Sequence, residues 1–143
     1  MNQKNTKYLL SYFPDLYKQY YWDKTQTCMN WGFDVENGWF SLIKKLSKDL
    51  CKVSNKIEAT QVKEKFGMLR YYYTASELTD KQVDKIRRLV DKAENDSGTI
   101  CEICGKKGKI GHDLIWIKTL CTEHYNIFND PFKYRDYRKQ KKK

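Results

Sequence analysis

The 143 residues suit one compact domain or a domain with a small added module, and 40% hydrophobic content supplies a modest core, much of it rings, with 11 Tyr, 6 Phe and 4 Trp. A formal net charge of +10 excludes an acidic mimic of nucleic acid, and no apolar stretch approaches a signal-peptide core or the ~20 residues of a membrane span. Five cysteines in such a chain fit metal binding in a reducing compartment and argue against a disulfide framework.

Residues 1–10 read as a loose start. In "SYFPDLYKQYYW" (11–22), Phe13, Leu16, Tyr17, Tyr20 and Tyr21 fall at helical spacing, with Pro14 acceptable in a first turn. Residues 23–38 read as loop, with Trp31 and Phe33 expected to tuck against the body. Trp39, Leu42, Ile43, Leu46 and Leu50 then mark one face of an amphipathic helix, and Cys51 at its end is expected as a small buried thiol. Cys28 has no ligand pair nearby.

"IEATQVKEKFGMLRYYYTA" switches to a period of two around a Phe66-Gly67 turn. A two- or four-residue loop puts Val62 on one face with Leu69, Tyr71 and Tyr73, and a one-residue slip would exchange the faces. Gln61, Lys63, Arg70 and Tyr72 then share the other face. Lys63, Lys65, Arg70 and Tyr72 are candidate contacts to nucleic acid or another partner: cations for phosphate and a ring for stacking. An ordinary solvent-facing sheet surface accounts for the same residues. Glu64 falls on the apolar side, where it needs a cation, with Arg87 or Arg88 in view. A second amphipathic helix follows, striped by Val83, Ile86, Leu89, Val90 and Ala93, opened by a Thr79/Gln82 capping box and stopped at Gly98.

"CEICGKKGKIGHDLIWIKTLCTEH" supplies C-x2-C, sixteen residues, then C-x2-H. Cys101, Cys104, Cys121 and His124 make a set of three thiolates and one imidazole, suited to tetrahedral Zn²⁺. Gly105 lets the first pair form a tight knuckle, the intervening residues suffice for a short hairpin, and Cys121 and His124 project from one face of a starting helix. Knuckle, hairpin and helix start resemble a treble-clef zinc finger. Four protein ligands leave no position for a reacting water, so the zinc is expected to be structural. The rivals fit less well: a redox C-x-x-C wants a βαβ setting, and iron–sulfur clusters usually take cysteines only. His112 next to Asp113 raises an HNH-like nuclease, but the residue order is reversed and the loop too short.

The last eleven residues, "KYRDYRKQKKK", hold seven basic residues and one acidic. Such a like-charge block is expected to be disordered; solubility accounts for it as well as a weak, salt-sensitive attraction to RNA, DNA or an acidic protein does.

Together, "GWFSLIKKL", "QVKEKFGMLRYYY", "KAENDSG", "CEICGKKGK" and the W-x-x-TLC-x-x-H string resemble a family of small bacteriophage and prophage proteins with no assigned reaction. The likeness spans about residues 37–124; Met68 stands where that family often has a second Gly. The resemblance implies a phage origin and the cytoplasm of a bacterial host cell.

The sequence therefore predicts an α+β fold, helices packed on a β-hairpin with a C-terminal treble-clef-like zinc module. It divides into a body (1–98), a zinc module (99–132) and a disordered basic tail (133–143). The expected function is non-enzymatic: a zinc-binding phage accessory protein that binds a host protein or nucleoprotein complex, with inhibition of a bacterial defence system as its use. The alternatives are a DNA- or RNA-binding protein using the tail and hairpin face, and an HNH-like nuclease. No membrane contact is expected, and the oligomeric state is left open.

Overall fold

In the computed structural model, which describes residues 1–141, the chain is α+β. Helix α1 (Gln3–Tyr12) leads through two 3-10 turns to a short strand β1 (Phe33–Asp34). Helix α2 (Phe40–Val53), strands β2 (Ile57–Lys65) and β3 (Met68–Ala75) and helix α3 (Asp80–Ser97) complete the body. Strands β4 (Lys109–Gly111) and β5 (Lys118–Leu120), then α4 (Thr122–Phe128) and α5 (Pro131–Lys141), follow. No helix among the described residues is long and apolar enough to cross a membrane.

The two amphipathic helices form where the apolar spacing puts them. Ile43, Leu46 and Leu50 of α2 and Ile86, Val90 and Ala93 of α3 are buried, and the Thr79/Gln82 capping box closes in both directions. Val83 stays largely exposed.

The hairpin takes the two-residue register, Glu64 opposite Leu69 and Lys65 opposite Met68. Phe66 (φ 54°) and Gly67 (φ 78°) both lie in the left-handed region, as the tight hairpin turn with matching twist requires. Val62, Leu69 and Tyr71 consequently enter the core. One detail was not legible: the ladder shifts between Ala59 and Gln61. The extra residue, Thr60, lets Ile57 and Ala59 share the buried face with Val62, although strict alternation would put them on opposite sides.

The N-terminal third departs from expectation. The helix lies at Gln3–Tyr12, capped by Asn2, and stops just before Pro14. A residue preceding proline is pushed out of the α region, and Phe13 sits at φ −131° and ψ 55°. Residues 18–21 form only a 3-10 turn. Phe33 is buried, as expected, but in β1, which pairs parallel to β2 with Phe33 opposite Val62. Trp31 is 73% exposed; its 3-10 turn buries Met29 instead. Cys51 is exposed, not buried, because it lies at the margin of α2 beside the core-facing Leu50.

The basic tail, expected to be disordered, is helical through Lys141; its last residues, 142 and 143, lie outside the described residues. Asp130 caps α5 by accepting from the Phe132 and Lys133 amides (2.9 and 3.1 Å), and Pro131 occupies the first turn. The Tyr134 and Tyr137 rings pack on Phe128 of α4, with centroids 4.8 and 5.6 Å away. These aromatic contacts offset the charge repulsion that composition alone suggests.

Candidate metal centre

The four predicted ligands converge. One ligand atom from each of Cys101, Cys104, Cys121 and His124 lies within 4.8 Å of every other. The first pair sits on a knuckle. Gly105 takes φ 78° and donates to the Cys101 carbonyl (2.8 Å), while the Cys101 amide donates to the Lys106 carbonyl (2.7 Å). The β4–β5 hairpin then returns the chain so that Cys121 becomes the residue before α4 and His124 falls in its first turn.

The spacing tests the fit. Bonds of about 2.3 Å to sulfur and about 2.05 Å to nitrogen in a tetrahedron set S···S edges near ~3.8 Å and S···N edges near ~3.6 Å. Cys104 Sγ and Cys121 Sγ are 3.8 Å apart, and Cys101 Sγ and His124 Nδ1 are 3.6 Å apart. Cys121 Sγ to His124 Nδ1 is tighter, at 3.2 Å. The set is compatible with one bound metal ion through Nδ1.

The thiols are unequal. Burial pushes Cys104 up to about 11. Cys121 falls to about 7: burial works against its thiolate, but the His124 amide and ring and the two neighbouring thiols outweigh it.

The knuckle is embedded in the body. The Gly38 amide donates to the Glu102 carbonyl (2.7 Å), and Trp39 Nε1 donates to the Ile100 carbonyl (2.8 Å). Thr119 Oγ1 donates to the Gly67 carbonyl (2.5 Å). The Glu102 carboxylate, almost fully buried, meets Lys118 Nζ at 2.7 Å and accepts from the Glu36 amide at 3.2 Å. Lys118 also faces Glu64 at 3.7 Å. This corrects the cation expected for Glu64, which is Lys118 rather than Arg87 or Arg88. Burial raises the Glu102 carboxyl, Lys118 opposing it; for Lys118, burial pulls down and the carboxylates of Glu102, Glu64 and Glu36 more than reverse that. Sequence reasoning missed Glu102 and Lys118 in this bridge; the one available signal was Glu64's place on the apolar face. Beside the ligand cluster, the Tyr137 ring stands edge-on to His124, with centroids 6.3 Å apart.

His112 is outside the ligand cluster, in an exposed turn, and Asp113 beside it accepts a hydrogen bond from the Tyr125 hydroxyl. The hairpin candidates share the outer face as expected. Lys63 stands directly opposite Arg70, and Gln61 opposite Tyr72. Arg70 is partly engaged by Glu94 (3.6 Å). Lys63 and Lys65 have no ion-pair partner among the described residues, and their ammonium groups lie 5.7 and 5.4 Å from the Tyr72 and Phe66 ring centroids. Asp34 is level with Lys63 on β1 without pairing to it.

No family model, curated protein or solved structure compared with the chain matches it. The resemblance to phage proteins thus rests on the quoted motifs.

Proposed function

We propose that the metal is a structural Zn²⁺ and that the protein is a non-enzymatic nucleic-acid-binding protein, acting on DNA, RNA or a nucleoprotein complex. Three cysteines and one histidine are a zinc-preferring set, and four protein ligands leave no coordination position for a substrate or reacting water. One observation carries the binding reading: Lys63 stands over the Tyr72 ring and directly opposite Arg70. Like charges placed opposite each other on neighbouring strands weaken a sheet, and an added anion relieves them. Helix α5 supports the reading with Arg138 and Lys139, unpaired among the described residues.

The test is fluorescence anisotropy with labelled oligonucleotides across a salt series. Binding should weaken steeply with salt, and Lys63→Gln, Arg138→Gln and Lys139→Gln should flatten the slope. These substitutions serve better than removing the tail, which would also strip Tyr137 from His124. Salt-insensitive behaviour would sink the reading.

A second reading, docking on a host protein in the manner of a phage accessory factor that disables a defence system, is favoured by the tip of the zinc hairpin. Ile115 is 94% and Trp116 72% exposed there, and such apolar exposure is a common mark of protein interfaces. Capture of a host protein that is lost in Trp116→Ser but kept in high salt would favour it instead.

A further inference from the structure

A groove of about 380 Å³ opens beside Tyr72, between the 24–28 loop and the bulge of β2. Thr25, Gln26, Cys28, Thr60, Gln61 and Tyr72 line it, with Lys24 also contributing. We propose that it receives an unstacked nucleobase of a single-stranded nucleic acid, with Tyr72 as the stacking surface and the amides of Gln61 and Gln26 facing the base edge; this rests on the nucleic-acid reading above.

Three features support this occupant. The lining contains no carboxylate, so nothing in it repels a phosphodiester. Its nearest side chains are sorted into spent and unspent groups. Gln19, on the inner wall, donates to Glu58 (2.8 Å) and accepts from Thr27 (2.8 Å), which fixes the floor. The side-chain amides of Gln26 and Gln61, by contrast, have no hydrogen-bond partner among the described residues and retain both donors and an acceptor. Finally, the register set by the Phe66-Gly67 turn places Gln61 directly opposite Tyr72, so the free amide and the ring stand side by side on one face. Tyr72 is 46% exposed and Lys63 Nζ lies 5.7 Å from its centroid, where a phosphate attached to a stacked base would find a cation.

A duplex hides base faces that a single strand offers, so strand state separates this site from general phosphate attraction. The zinc-loaded full chain is titrated with a fifteen-nucleotide single strand of DNA or RNA and with the corresponding DNA duplex. The expected result is tighter binding of a single strand, an approximately tenfold loss of it in Tyr72→Ala, retention within about twofold in Tyr72→Phe, and a smaller loss in Gln61→Ala. Duplex affinity should fall clearly less than single-strand affinity, and the salt slope should stay unchanged in all three variants because none removes a charge; circular dichroism and zinc content verify their folding. If Tyr72→Ala leaves single-strand binding intact, or weakens single and double strands equally, the base site is overturned while nucleic-acid binding stands. If the wild-type chain binds neither form at low salt, both readings are overturned.

Discussion

The carbonyl oxygen of Cys101 occupies the space that a side chain at position 38 would need: a Cβ built on Gly38 would fall 2.1 Å from it. The first candidate metal ligand and the entrance to α2 are therefore in backbone contact. Gly38→Ala should displace the knuckle and cost about 1–3 kcal/mol, the usual cost of forcing atoms into a packed site. Because Gly38 is not a ligand, weakened zinc retention in a chelator competition would be the telling result; unchanged zinc affinity and melting temperature would contradict the contact.

The same contact ties metal loading to the stability of the body. Binding at a site of this type contributes on the order of 10 kcal/mol. Chelation should lower the thermal transition of the whole chain rather than release a separate small unit. Trp39, buried and bonded to the Ile100 carbonyl, should report the change by its fluorescence. Mass spectrometry under native conditions should find one zinc per chain. Cys104→Ser should lower both zinc content and melting temperature.

Lys118, itself partly exposed, is the cation that faces the buried Glu102 carboxylate. Lys118→Met would leave a buried carboxylate without its cation and should cost about 3–5 kcal/mol in denaturant unfolding. Adding Glu102→Gln should recover much of that loss, since an amide needs no counter-charge. Strict additivity of the two substitutions would contradict the pairing.

The core carries a polar chain in which the Tyr71 hydroxyl donates to Tyr17 (3.1 Å) and Tyr17 shares a hydrogen bond with Ser47 (2.6 Å). Burial holds both phenols well above their ordinary value, with proximity to Tyr17 adding to the shift at Tyr71. An acid whose native pKa is raised adds stability that is complete below the unfolded value, near ~10, and lost as pH rises past it. Unfolding free energy should fall above about pH 10 by roughly 1.4 kcal/mol per pH unit for each of these tyrosines. Absorbance titration should show two of the 11 tyrosines ionising only on unfolding. In Tyr71→Phe one such group should disappear.

Residues close in the chain made much of this protein legible before any folding. The three-and-four spacing of α2 and α3, the Thr79/Gln82 cap, the Phe66-Gly67 turn with its register, and the ligand set all depend on neighbours within a few residues or one short hairpin. Tertiary structure decided what distant partners supply. The Thr60 bulge shows its effect where Ala59 donates its amide to the Leu16 carbonyl (2.7 Å), across 43 positions of sequence. Helix α5 forms because Phe128 gives its tyrosines a surface, and composition registers only the repulsion among its cations. Glu102 looks like a solvated charge between two cysteines until folding brings Glu36 and Lys118 around it. Local torsional preference and apolar periodicity are written residue by residue; burial of a charge, close approach of two backbones and the opening of a groove exist only once remote segments meet.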